Sequence, residues 1–177
     1  MKSIVLLGYM GAGKTTIGRQ LAINLGMQFY DLDWYIEMRY HRTVAQIFAE
    51  KGEEGFREIE RNMLHEVAEF QDIVLSCGGG TPCFFDNMDY MNSICETVYL
   101  KARPDVLAAH LKMGRVERPL IKGKTDEELR AFIESSLEKR EPFYSKAHHI
   151  IDVSLRDNYE KIQTSVQLVK DELNIKS

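Results

Sequence analysis

Lys14 and Thr15 stand near the end of the stretch GYMGAGKTT, Gly8 to Thr16, where three glycines, one lysine and two threonines share nine positions. Glycines at this density bend the backbone tightly and let another molecule approach closely. The spacing Gly8-x-x-x-x-Gly13-Lys14-Thr15 is the P-loop pattern: successive N–H groups cradle phosphates, the lysine reaches the terminal phosphate and the hydroxyl takes Mg²⁺. An apolar run, Ile4–Leu7, precedes it, and Ile17, Leu21 and Leu25 follow at helical spacing. Phosphate would therefore meet a helix N-terminus, whose free N–H groups and dipole favour an anion.

Four further groups of residues could do chemistry. FYDLDWYIE places Asp31 and Asp33 at the end of an expected strand. Two carboxylates there can hold hydrated Mg²⁺ or orient a hydroxyl, or an aspartate before WYIEM can cap a helix. GEEGFREIE sets Arg57 three residues before Glu60; the commoner meaning of that spacing is a surface ion pair. SCGGGTP follows another apolar run, and Gly78, Gly79 and Gly80 suit either a tight turn or close approach to a ligand. LEKREPFY ends an expected helix at Arg140, which serves either as a partner of the helix dipole or as a bidentate clamp on a carboxylate.

The elements that must position these residues alternate. Strands are expected at Ile4–Leu7, Gln28–Asp31, Ile73–Ser76, Thr97–Leu100 and His149–Asp152, with helical patterns between them. That alternation predicts an α/β domain with a parallel sheet and helices on both faces. Thr43-x-x-Gln46 and Thr125-x-x-Glu128 read as capping boxes. Phe56, Ile59, Met63, Val67 and Phe70 line one helix. Leu129, Phe132, Ile133 and Leu137 line another, with Pro142 expected just past its end. The last helix is expected from about Asn158 to Leu173. Residues 112–124, KMGRVERPLIKGK, are basic and contain two glycines; they read as a solvated loop or as a mobile lid over phosphates.

The 177 residues suffice for one domain with a substantial core. Net charge is −4, which gives no reason to expect nucleic acid as a partner. Cys77, Cys83 and Cys95 are odd in number and form no C-x-x-C pair, against a disulfide scaffold or structural zinc and in keeping with a cytoplasmic setting. The start, a lysine followed by an apolar run, is too short for a signal peptide and leads directly into the P-loop. No stretch approaches the ~20 apolar residues that span a membrane.

In this order and within this length, the P-loop, DLD with the following IE, GEEGFREIE, GGG, RPLI and REPFY resemble shikimate kinase over nearly the whole chain. The resemblance implies a three-layer α/β/α fold with a five-stranded parallel sheet, a P-loop NTPase of the nucleoside monophosphate kinase type. It implies one domain over 1–177, substrate-binding helices at about 33–61 and a lid at about 112–124. The implied reaction is phosphoryl transfer from ATP to the 3-hydroxyl of shikimate. By motif match, Gly11, Ala12, Gly13, Lys14, Thr15 and Thr16 would bind ATP, with Arg118 as the lid cation and Arg156 in the adenine loop. Asp33 would contact the reacting hydroxyl. Arg57 and Arg140 would hold the carboxylate, Glu60 would help to orient the site, and Gly79 and Gly80 would lie along the substrate. Thr15 would bind Mg²⁺ directly and Asp31 through water. Lys14, Asp33 and Arg118 would be catalytic, and the expected state is a cytoplasmic monomer.

The chain departs from the family pattern at His41, where the family often has glycine, at the basic neighbours Arg39 and Arg42, and in GGGTPCFF. The DVSLR that carries Arg156 is a loose match. Two rivals share much of the pattern: another small-molecule P-loop kinase, such as a gluconate or nucleoside monophosphate kinase, and a nucleotide-binding module without catalysis. GEEGFREIE and GGG argue against the first. Intact Lys14, Thr15, Asp31 and Asp33 argue against the second.

Overall fold

A computed structural model describes residues 2–114, 119–154 and 159–175. The elements run β1 (Ile4–Leu7), α1 (Lys14–Leu25), β2 (Gln28–Asp31), α2 (Leu32–Tyr40), α3 (Val44–Ala68), β3 (Ile73–Ser76), α4 (Asn87–Ile94), β4 (Glu96–Lys101), α5 (Pro104–Met113), α6 (Asp126–Tyr144), β5 (His149–Asp152) and α7 (Tyr159–Glu172). Four strands have the expected bounds, and β4 is one residue longer at each end. The five strands pair in parallel in the order β2-β3-β1-β4-β5.

Alternation along the strands divides the core into two layers. Val5 and Leu7 of β1 face one way, with Leu32, Ile36, Phe56 and Leu64 of α2 and α3. Ile4 and Leu6 face the other, with Ile17 and Leu21 of α1, Leu107 of α5, Ile133 of α6 and Val169 of α7. Burial on both faces explains why β1 and β3 read as unbroken apolar runs. With β1 central and β3 and β4 on either side of it, the chain changes direction across the sheet at the carboxyl end of β1. That is where open α/β sheets bind ligands.

Both capping boxes form: Thr43 and Gln46 exchange bonds of 2.9 and 3.1 Å, and Thr125 and Glu128 bonds of 2.8 and 3.2 Å. The α3 helix breaks at Gly52 (φ 70°, ψ −177°) and ends at Ala68, two residues before Phe70. Pro142 does not follow α6 but lies inside it. The proline forfeits one helical bond, yet the helix runs on to bury Tyr144 completely and closes with Ser145 N–H on the Glu141 carbonyl at 2.9 Å. Arg140 is therefore a turn inside the helix, and the last turn of α6 carries no cation.

His41 ends α2 in the left-handed conformation (φ 51°, ψ 36°). The turn thus keeps a glycine-like backbone and imposes it on a histidine, which costs free energy that glycine avoids. His41→Gly should stabilise the protein by about 0.5–1 kcal/mol. The check is a rise in the urea midpoint with an unchanged denaturant slope.

Candidate active site

The P-loop leaves β1 through Gly8 (φ 145°) and enters α1 through Gly13 (φ 86°). Neither conformation suits a side chain, and a Cβ on Gly8 would lie 2.6 Å from the Leu100 carbonyl oxygen. Lys14 Nζ donates to the carbonyls of Gly8 and Tyr9 at 2.8 and 3.0 Å. The ammonium is thereby held over the loop whose N–H groups would receive phosphate.

Thr15 Oγ1 donates to Asp31 Oδ2 at 3.1 Å. The other oxygen of Asp31 accepts the N–H groups of Asp33 and Trp34 at 3.1 and 3.3 Å. Asp31 is therefore the N-cap of α2. The capping role open to Asp33 on sequence belongs to Asp31, and the Asp33 carboxylate is left for other work.

That carboxylate is half-buried on the first turn of α2 and lines the site. Burial first, then the charges of Asp31 and Glu60, push its pKa up from 3.8 to about 6, against the opposing pull of Lys14. A carboxylate tuned toward neutrality, beside the P-loop lysine, is suited to take a proton from a hydroxyl.

Arg57 and Glu60 are not the surface pair their spacing suggests. Their side chains are 13% and 1% exposed, and Arg57 Nη1 donates to Glu60 Oε1 at 2.8 Å. Thr81 Oγ1 satisfies the second Glu60 oxygen at 2.8 Å. The guanidinium is stacked 4.1 Å from the Phe84 ring centroid, a cation–π contact that further limits its freedom.

The glycine run makes room for both arginines. A Cβ on Gly80 would lie 2.6 Å from Arg57 Nη2, and one on Gly79 would lie 3.0 Å from Arg140 Nη1. Gly78 lies against Glu60, Thr81 and Asp33. Both guanidiniums are thus lodged against the loop after β3, and Arg140 also stands over the Tyr9 ring at 5.3 Å.

A cavity of about 960 Å³ opens at the carboxyl ends of the strands. Its walls include Gly11, Gly13, Lys14, Thr15, Thr16, Asp31, Asp33, Gly78 and Gly79, together with Trp34, Phe48, His110 and Leu120. Ala12 is fully buried beneath the loop, and Gly80, Arg57 and Arg140 border the site through the glycine run rather than forming its walls. Arg118 and Arg156, with residues 115–118 of the expected lid, lie outside the described residues. On either side of that gap, Lys112 pairs with Asp126 and a short 3₁₀ turn spans Pro119–Ile121. A smaller cavity of about 280 Å³, lined by Lys2, Glu96 and His149, opens where strands begin and is remote from these groups.

Sequence reasoning missed Phe84 and Tyr144. The i, i+4 spacing of Arg140 and Tyr144 in REPFY was a usable signal for one. Nothing local marks Phe84, because its contact with Arg57 spans two separate elements.

The model of the shikimate kinase family matches residues 10–170. A shikimate kinase of Phocaeicola vulgatus is 54% identical over 98% of this chain and 99% of its own length. The crystal structure of shikimate kinase from Bacteroides thetaiotaomicron superposes with a TM-score of 0.95 at 51% identity, covering 98% of each chain. Shikimate kinase from Acinetobacter baumannii, solved in complex with shikimate, gives 0.82 at 32% identity over 99% of this chain and 95% of that one. With this agreement extending from the P-loop through the glycine run to REPFY, the chain belongs to the shikimate kinase family.

Proposed function

We propose that the protein transfers the γ-phosphoryl group of MgATP to the 3-hydroxyl of shikimate, giving shikimate 3-phosphate and ADP. This is a step toward chorismate and the aromatic amino acids. The observation that carries the reading is the convergence on one glycine run of a carboxylate base and two guanidiniums, beside the P-loop. A small acceptor with one carboxylate and adjacent hydroxyls matches that set of charges.

Phosphoryl transfer depends on in-line positioning and charge neutralisation. Gly11, Gly13, Lys14, Thr15 and Thr16 would hold the nucleotide phosphates, with Lys14 neutralising charge on the transferred group. Asp33 would align the acceptor hydroxyl and take its proton. Arg57 and Arg140 would fix the carboxylate at the far end, and the backbone of Gly79 and Gly80 would run along the ring. The segment 112–124 would close over the nucleotide with Arg118, and Arg156 would meet the adenine.

Thr15 and Asp31 present two hard oxygen donors 3.1 Å apart. Such a pair fits Mg²⁺, which keeps most of its shell for water and phosphate oxygens. Thr15 would ligate it directly and Asp31 through water. When bound, the ion supplies charge neutralisation at the phosphates. No helix among the described residues is long and apolar enough to cross a membrane; we place the enzyme in the cytoplasm as a monomer.

An ADP-release assay with MgATP and a panel of shikimate, gluconate, AMP, CMP or no acceptor tests the reading. Turnover with shikimate alone is expected. Turnover with gluconate or a nucleotide, or binding of ATP without turnover on any acceptor, would overturn it. A subtler result is expected from Gly80→Ala. Its Cβ would occupy the space of the Arg57 guanidinium, which is pinned by Glu60 and Phe84 and cannot retreat without breaking those contacts. The KM for shikimate should rise about tenfold, the scale of one charged hydrogen bond, with the KM for ATP unchanged.

A further inference from the structure

Tyr144 is a buried polar side chain that the mechanism above leaves without a task. It is fully buried, its ring is packed 5.0 Å from that of Tyr99, and it belongs to the core layer beneath α2 and α3. A tyrosine there must place its hydroxyl on a partner. The hydroxyl donates to the Gly79 carbonyl at 2.5 Å, and it shares that glycine with Arg140: a Cβ there would lie 3.5 Å from the Tyr144 hydroxyl and 3.0 Å from Arg140 Nη1. The donated bond uses the hydroxyl's one proton and fixes its rotor, leaving its lone pairs beside the guanidinium.

The geometry follows from the helix. Arg140 and Tyr144 are four residues apart on α6 and share a face. Arg140 has four rotatable bonds and is only partly buried; its stacking over Tyr9 limits the plane but not the position of the fork. The Tyr144 hydroxyl supplies a fixed point from a ring that cannot move. The same atom clamps the peptide of Gly79, whose missing side chain leaves Arg140 its room.

We propose that Tyr144 is a positioning residue for acceptor binding: its hydroxyl registers the Arg140 guanidinium against the Gly79 backbone, so that the carboxylate fork is preformed. The proposal rests on Arg140 reading the acceptor carboxylate. Without the hydroxyl the fork would be mobile, and ordering it would weaken shikimate binding while leaving the P-loop untouched.

Tyr144→Phe removes one oxygen and keeps the ring. The test is calorimetric binding of shikimate and of ADP, with steady-state kinetics, for Tyr144→Phe, Arg140→Lys and the double variant. The expected result is shikimate affinity down about tenfold in Tyr144→Phe, ADP affinity unchanged, and little further loss when Tyr144→Phe is added to Arg140→Lys. Full shikimate affinity in Tyr144→Phe beside a strong Arg140→Lys defect would overturn the role of Tyr144. So would a Tyr144→Phe loss of equal size in both backgrounds, or one shared by ADP, since each marks an effect not routed through Arg140. An Arg140→Lys enzyme that binds shikimate normally would instead overturn the reading of the arginine itself. Tyr144→Leu, read at a temperature where circular dichroism shows the native fold, repeats the comparison without the ring.

Discussion

Asp33→Asn should lower kcat by at least ~10²-fold, the usual contribution of a positioned acid–base group, while making the protein more stable at neutral pH. The two effects share one cause. The folded pKa of Asp33, about 6, lies above its ordinary 3.8 because burial and the charges of Asp31 and Glu60 oppose ionisation. A raised carboxylate contributes stability that is complete below about pH 4 and is lost as the pH rises through about 6. Asparagine carries no charge to be penalised. The displacement corresponds to at most ~3 kcal/mol; with partial solvation, about 1–2 kcal/mol is expected. For a chain of this size that is a rise in melting temperature of roughly 2–8 °C at pH 7–8, vanishing near pH 4. The wild-type kcat/KM should fall on the acid side with an apparent pKa near 6, and ATP binding should be normal in the variant. Since Asp31 holds the cap of α2, a variant that kept most of its kcat would move the search for the base to Asp31 itself. A variant that lost stability would contradict the electrostatic account.

Arg140→Lys should lower kcat/KM for shikimate by about 10²-fold with the KM for ATP nearly unchanged. Lysine keeps the charge but loses the planar fork that meets a carboxylate with two parallel bonds. It also cannot fill the place that the guanidinium takes against Gly79 beside the Tyr144 hydroxyl. A dipole role would predict almost no change, and α6 already excludes it by carrying Arg140 a full turn before the helix end. Steady-state kinetics with each substrate varied decides the matter. Equal losses for both substrates would signal general damage to α6.

Strands were legible because burial on both faces writes them as apolar runs such as IVLL and IVLS. Capping boxes were legible because they are local. Errors came where tertiary contacts outweighed a local rule. Pro142 sits inside α6 because burying Tyr144 outweighs one lost helical bond. The Arg57–Glu60 pair has the spacing of a surface pair but lies buried, since Phe84 and Thr81 arrive from another part of the chain. The choice between capping and chemistry for Asp31 and Asp33 could not be made from FYDLD alone. It depends on which of the two begins the helix, a difference of two residues. His41 shows the converse: a histidine holds the left-handed conformation that glycine adopts most easily.

The fit of two guanidiniums into the space left by Gly79 and Gly80 also constrains the order in which this site could change over generations. A side chain at position 80 and an arginine at position 57 compete for one volume. A lineage drifting toward a different acceptor could not gain bulk in the glycine run first, because that step passes through a protein with a displaced, half-desolvated cation. Arg57 would have to go before the glycine, and its loss strands the buried Glu60, so the two must change together. Glycine, arginine and glutamate therefore form a ratchet in which substitutions are permitted in one sequence and blocked in the reverse. A deep mutational scan begun from Gly80→Ala and one begun from a Glu60–Arg57 double replacement should reach different sets of neighbours.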